Sequence, residues 1–207
     1  MNDINQKFEF IADNLAENGY AVCDDFLNST EIEAILALKI LKADIHSLQR
    51  AGIGKESRQV INEIRGDHVE WIDKQNAADP IKVYLEQLQR LMQFLNQSLF
   101  LSMKDLEIHV ARYPEGAFYK RHLDQFKKDD HRKLSVICYL NKDWTSADGG
   151  QLRIYKKEGH LDILPEAGRL VCFRSDLLEH EVLPARRERN AITGWMLDQI
   201  GDLRHLS

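Results

Sequence analysis

The sequence predicts a mostly β protein with helices gathered toward its N-terminal end. Apolar residues recur at helical spacing up to about residue 104 and at strand spacing from about residue 105 onward. The later part breaks into short runs rich in β-branched and aromatic residues. Turn signals separate those runs, among them SADGG (146–150), KKEGH (156–160) and PEAG (165–168). Short strands divided this way form an antiparallel sandwich or barrel, and the helices are available to cover one of its faces.

The elements follow in order. Phe8, Ile11, Ala12 and Leu15 fall on one face of a first helix, with Gly19 as its stop. YAVCDDF (20–26) reads as a short strand. Thr30 and Glu33 make a capping-box pattern ahead of IEAILALKILKADIHSL, which reads as one amphipathic helix. AGIGKES (51–57) is a loop, and IRGDHVEWI (64–72) carries a strand. Asp79 followed by Pro80 gives an N-cap with proline at the first helical position. Behind it, Ile81, Tyr84, Leu85, Leu88, Leu91, Met92 and Leu95 mark the buried face of a long helix. The strands after residue 105 are LEIHVARY, KLSVICYL, QLRIY, HLDIL, RLVCF and NAITGWML. No repeat, low-complexity segment or linker interrupts the pattern, so residues 1–207 read as a single domain.

Composition narrows the class. The net charge of −5 and the lack of a long basic run exclude a nucleic-acid binder. The charged runs KKDDHRK (127–133) and ARRERN (185–190) are mixed or short and read as solvated loops. The three cysteines include no C-x-x-C pair, and Cys138 and Cys172 stand inside apolar runs, as small core residues do. MNDINQKFEF lacks the basic start and apolar core of a signal peptide, and no apolar segment reaches membrane-spanning length. A soluble protein of the cytoplasm, with no membrane partner, is the expectation.

The chemistry gathers around RHLDQF (121–126). On a strand, His122 and Asp124 point to the same face. A lone His-x-Asp is most often an ordinary surface pair, but His180 in LLEHEVLPA supplies a second imidazole. Two neutral imidazoles and one carboxylate on a β scaffold are the ligand set of non-haem Fe(II) oxygenases, which leaves one side of the metal open. Arg189 opens a strand and shares a face with Ala191, Thr193 and, further along, Trp195. Its guanidinium fork suits a distal carboxylate, a role for which Arg186 and Arg187 compete. Tyr139 in ICYLNKDW needs a partner for its hydroxyl, which a co-substrate carboxylate would supply. His46, His68, His131, His160 and His205 lie in helix, loop or tail contexts with no second ligand at useful spacing. His109 lies in the strand LEIHVARY and stays outside the ligand set, as a pocket-lining or locally satisfied residue.

Six blocks in order resemble the 2-oxoglutarate- and Fe(II)-dependent prolyl 4-hydroxylases. They are IRGDHVEWI (64–72), YPEGAFYKRHLD (113–124), YLNKDW (139–144), GGQLRIY (149–155), HEVLPA (180–185) and RNAITGWMLD (189–198). Within that family the chain is most similar to the bacterial relatives of the hypoxia-inducible-factor prolyl hydroxylases. The resemblance implies a double-stranded β-helix, or jelly-roll, core braced by α-helices. It implies His122, Asp124 and His180 as iron ligands, and Arg189 and Tyr139 at the far carboxylate of 2-oxoglutarate. It places Tyr113 near the iron-binding end of the co-substrate, and Leu152, Thr193 and Trp195 along the pocket. Fe(II), 2-oxoglutarate and O2 are the implied cofactor and co-substrates, with ascorbate supporting activity. Residues 46–63 fall where the family has a loop that closes over a peptide, and they depart most from the animal enzymes. His109 departs too, standing where those enzymes have an apolar residue. The implied partner is a protein carrying the target proline, and the bacterial branch points to elongation factor Tu. The alternatives are hydroxylation of a free amino acid or other small molecule, and an iron- or oxygen-sensing jelly roll without turnover.

Overall fold

The computed structural model describes residues 3–50, 64–125 and 130–200. Most of the expected closing loop, His205 and the first three residues of the KKDDHRK run lie outside the described residues.

Two helices form the support. Helix α1 (Ile4–Asn18) is capped by Asp3 and ends at Gly19, and it buries Phe8, Ile11, Ala12 and Leu15. The long helix α4 (Asp79–Leu99) buries all seven apolar residues of its expected stripe. Its N-cap is Ala78, one residue earlier than expected, so Asp79 becomes a first-turn acid, where a negative charge favours the helix dipole.

The segment between them corrects the sequence expectation. The capping box is Asn28 with Glu31, two residues ahead of Thr30 and Glu33, because the Asn28 side chain reaches the Glu31 N–H at 3.0 Å. The expected single helix divides into α2 (Ser29–Leu36), α3 (Lys39–Lys42) and a 3₁₀ turn at Ile45–Ser47. A continuous helix would carry Lys39 and Lys42 onto the face of Ile32 and Ile35. The extended backbone at Leu38 re-aims the chain, and Leu41 is buried instead.

Among the described residues eleven strands build two sheets: β1 (Tyr20–Cys23), β2 (Gln49–Arg50), β3 (His68–Trp71), β4 (Asp105–Tyr113), β5 (Tyr119–His122), β6 (Arg132–Tyr139), β7 (Leu152–Tyr155), β8 (His160–Ile163), β9 (Leu170–Arg174), β10 (His180–Val182) and β11 (Arg189–Leu197). The seven-stranded sheet has the order β1-β9-β6-β11-β4-β3-β2, and the four-stranded sheet has the order β5-β10-β7-β8. All named strand pairs are antiparallel.

The large sheet is covered on both faces, so its strands read as nearly continuous apolar runs. Leu106, Ile108, Val110, Leu134, Val136, Cys138, Ile192 and Met196 pack toward α1 and α4. Ala111, Tyr113, Ile137, Tyr139 and Ala191 point the other way, against Leu152, Ile154, Ile163 and Val182 of the small sheet. This second, inter-sheet layer holds the candidate site. The three cysteines are free and buried.

Candidate active site

His122 and His180 are brought together by pairing. They are register partners on the adjacent strands β5 and β10, and their ring centroids are 4.2 Å apart. Asp124 does not share their strand, as the His-x-Asp spacing suggested. It lies in a bend just beyond the end of β5. It still reaches both rings: Oδ1 is 3.4 Å from His122 Nε2 and Oδ2 is 3.7 Å from His180 Nε2. The three residues offer ligand atoms within 4.8 Å of one another, the one such group of His, Cys and acidic side chains among the described residues.

The same local device sets the tautomer of both histidines. His122 Nδ1 lies 2.7 Å from the Lys120 carbonyl, and His180 Nδ1 lies 3.2 Å from the Leu178 carbonyl. A carbonyl oxygen only accepts, so each Nδ1 carries a proton, and Nε2 is the ring nitrogen left to face the cluster. Both Nε2 atoms turn toward Asp124. Burial lowers the pKa of His180 to about 4, against the pull of Asp124, so the ring stays neutral near pH 7. Burial alone would raise the Asp124 pKa. His180, His122 and the Ser135 hydroxyl outweigh it and hold the carboxyl well below its ordinary range. Two imidazoles facing an ionised carboxylate are the donor set of a divalent cation.

Flanking aromatic and basic groups brace the cluster. Tyr119 stacks on His122 at 3.6 Å, and Phe173 meets His180 edge-on at 4.6 Å. Arg65 lies over Tyr119 at 4.3 Å and is clamped by the buried Asp67. Arg132 Nη1 donates to the Asp124 carbonyl at 3.2 Å while its guanidinium covers the Trp195 ring at 3.5 Å.

The large sheet supplies the second half of the site. Arg189 is 2% exposed and stands at the start of β11, in register with Tyr113. Its Nε donates to the Gly150 carbonyl at 3.0 Å, while its Nη2 is buried with no partner. Tyr139, on the neighbouring β6, has its ring 4.9 Å from that guanidinium and a hydroxyl that is likewise buried and unpartnered. Two orphaned donors side by side fit a carboxylate. Gly150 makes the arrangement possible. It has φ +70°, and a Cβ there would lie 2.9 Å from Ala185 and 3.3 Å from the Arg189 side chain. Arg186 is exposed, and Arg187 donates to the Lys142 and Asp143 carbonyls outside this layer. Of the three arginines, Arg189 is the buried one.

Leu152 is fully buried in the inter-sheet layer, and Thr193 and Trp195 follow Arg189 on its face of β11. His109 is register partner to Thr193, and its ring lies 4.7 Å from Trp71 and 5.6 Å from Trp195. It is 3% exposed, its Nδ1 has no partner, and burial lowers its pKa to about 3. His68 and His160 belong to strands β3 and β8 rather than to loops, and neither joins the cluster.

The sequence reading did not single out Ser135, Ser175, Tyr119, Arg132 or Gly150. A signal existed for Ser135: the strand period places it on the face of Ile137 and Tyr139, a polar residue in an inward row. Arg132 and Ser175 lie beside loops, where that period gives no guidance.

One half-buried and one buried imidazole, a buried carboxylate and two unpartnered donors, set between two sheets, match the donor set of a non-haem Fe(II) oxygenase centre. Comparison with known proteins agrees. Residues 108–197 match the model described as the 2OG-Fe(II) oxygenase superfamily. A prolyl-4-hydroxylase from Pseudomonas putida is 40% identical, with TM-score 0.83, covering 93% of this chain and 100% of that one. A prolyl hydroxylase from Trichoplax adhaerens, solved with a hypoxia inducible factor oxygen degradation domain peptide fragment, is 30% identical. Its TM-score is 0.83, over 94% of this chain and 90% of that one. The hypoxia-inducible factor prolyl hydroxylase of Caenorhabditis elegans is 31% identical over 92% of this chain, which spans 28% of that protein's length. The chain belongs to the 2OG-Fe(II) oxygenase superfamily and, within it, is a relative of the hypoxia-inducible-factor prolyl hydroxylases.

Proposed function

We propose that the chain is a prolyl 4-hydroxylase that uses Fe(II), 2-oxoglutarate and O2 on a protein substrate. His122, Asp124 and His180 hold the metal, Arg189 and Tyr139 hold the far carboxylate, and Tyr113, Leu152, Thr193 and Trp195 line the pocket. The observation that carries this reading is the orphaned pair, Arg189 Nη2 and the Tyr139 hydroxyl, buried beside the histidine–carboxylate cluster. A lone buried phenol is tolerated, as at Tyr84, but a charged guanidinium N–H left unsatisfied next to a second orphaned hydroxyl is costly unless a ligand receives both.

When bound, iron, 2-oxoglutarate and O2 would supply the oxidising chemistry, one oxygen atom of O2 entering succinate as carbon dioxide is lost and the other the hydroxyl on the substrate carbon. The chain's own residues supply position and electrostatics. Lys120 and Leu178 carbonyls fix the imidazole tautomers, Gly150 fixes the reach of Arg189, and the apolar inter-sheet layer excludes water. Asp124 keeps a carboxylate in the position that related halogenases leave to chloride, which favours hydroxylation. Ascorbate supports activity by keeping the metal reduced. Three free, buried thiols suit a reducing cytoplasm, and among the described residues no helix is long and apolar enough to cross a membrane.

The protein substrate we assign is elongation factor Tu, at a proline of a switch loop. Similarity to a hydroxylase solved with a peptide fragment supports a peptide-chain substrate, and resemblance to the bacterial branch supports this one. The test is intact-protein mass spectrometry of elongation factor Tu purified from a strain lacking this protein. It is incubated with the enzyme, Fe(II), ascorbate and 2-oxoglutarate, with the His180→Ala variant as control. A gain of one oxygen mapped to a proline, absent in the control, is expected. Succinate without that gain would send the search to other proteins or small molecules. Neither succinate nor a gain would leave a binding-only sensor.

A further inference from the structure

The two imidazoles of the cluster sit on paired strands, but Asp124 has no strand ladder to hold it. Its fixation comes from behind. Ser135 Oγ, on β6, donates to Asp124 Oδ2 at 2.6 Å. Ser175, just past the end of β9, brings its own Oγ to 2.9 Å from Ser135 Oγ. Both serines are fully buried. The direction of this chain is forced. An ionised carboxylate only accepts, so the single proton of Ser135 goes to Asp124, and Ser135 in turn accepts from Ser175. The backbone is fastened to the same wall: Gln125 N–H donates to the Ser175 carbonyl at 3.1 Å, and Arg132 holds the Asp124 carbonyl.

We propose that Ser135, oriented by Ser175, is the positioning residue for the carboxylate of the cluster: its hydroxyl engages Oδ2, which also lies 3.7 Å from His180 Nε2, and so biases Oδ1, 3.4 Å from His122 Nε2, to be the oxygen that binds a divalent metal ion. The inference rests on reading His122, Asp124 and His180 as a metal site. It adds a reason why that site takes one carboxylate oxygen rather than two. A second oxygen on the metal would fill one of the positions that this class of centre leaves open for its co-substrates. A hydroxyl donating to an anion makes a bond about twice as strong as a neutral one. Ser175 strengthens it further by polarising the Ser135 hydroxyl. No water is needed in the arrangement, because the serine hydroxyls satisfy each other in order.

The experiment is Mn(II) binding to the metal-free protein, read from the free-ion EPR signal, with thermal melting of each metal-free variant alongside. Ser135→Ala is expected to weaken Mn(II) binding by about 10- to 100-fold, while Ser135→Thr, which keeps a hydroxyl, stays near wild type. Ser175→Ala is expected to give a smaller loss. The double variant is expected to bind no worse than Ser135→Ala, because Ser175 acts through Ser135. Ser135→Ala with wild-type Mn(II) affinity would overturn the proposal. So would losses from the two serines that simply add, and so would Ser135→Thr binding as weakly as Ser135→Ala. Should Ser135→Ala fail to fold, the Ser175→Ala and Ser135→Thr results decide alone: the first must weaken binding and the second must not. Failure of the underlying site reading has a different signature, in which His180→Ala binds Mn(II) as well as wild type does.

Discussion

Arg189 is tied at one end and free at the other. The bond from Nε to the Gly150 carbonyl fixes the plane of the guanidinium, and the unpartnered Nη2 faces the same layer as the Tyr139 hydroxyl. An ammonium cannot reproduce both contacts, because it lacks the planar fork and is shorter by the guanidine carbon. Arg189→Lys is therefore expected to weaken 2-oxoglutarate binding roughly 10- to 100-fold, the worth of a charged hydrogen bond, and to leave Mn(II) affinity unchanged. Titration calorimetry with each ligand separates the two effects, and an unaltered 2-oxoglutarate affinity would move the carboxylate contact elsewhere. Arg189 was legible in the sequence because a strand has a strict period, and a charged residue sharing a face with Ala191 and Thr193 is conspicuous. Ser135 and Ser175 were not, because a serine carries no charge and its meaning lies in what stands opposite.

Strand β11 is the element on which the site depends. It lies at the middle of the large sheet, paired along its length with β4 and β6, and it carries Arg189, Thr193 and Trp195 on one face and Ile192 and Met196 on the other. Gly194 is opposite Ile108 and Val136, and a Cβ there would lie 2.1 Å from the Glu107 carbonyl oxygen and 2.6 Å from the Ile108 side chain. Backbone atoms of a central strand cannot withdraw without breaking ladder bonds. Gly194→Ala should cost about 3 kcal/mol, the upper end for overpacking, and chemical denaturation would show it as a lower midpoint with unchanged slope. A stability equal to wild type would mean that β4 gives way more easily than its pairing implies. The strands were legible at this scale because β-branched runs and turn signals mark them off. The interrupted region after Leu36 was not. Helical periodicity continues through Ala37 in the sequence, and only the docking of Leu41 against the core decides that the chain must turn. The bend holding Asp124 was hidden for the same reason: residue spacing cannot reveal that a strand ends at its histidine.

At the scale of the molecule, two sheets meet on a layer that mixes apolar packing with titratable groups, and this makes the metal-free protein sensitive to acid. His180 and His109 have an ordinary value of 6.5, and burial lowers them to about 4 and about 3. Above pH 6.5 both are neutral, folded or unfolded, and neither contributes a slope. Between pH 6.5 and the lowered values, the unfolded chain binds protons that the folded protein refuses, so stability falls as pH falls. The loss from His180 levels off near pH 4, after on the order of 3 kcal/mol, and that from His109 continues somewhat further. Asp124 adds to the loss below its ordinary value of 3.8, because the folded protein keeps that carboxyl ionised while the unfolded chain protonates it. Urea midpoints of the metal-free protein should therefore drop steeply from pH 7 to pH 4.5. His109→Met and His180→Gln should each flatten part of that drop, the first without disturbing Mn(II) binding. Bound Mn(II) competes with the proton for His180 Nε2, so saturating metal should move the acid transition to lower pH in wild type and leave it unmoved in His180→Gln. A wild-type profile flat across this range would show that the inter-sheet layer admits water and does not hold its histidines neutral.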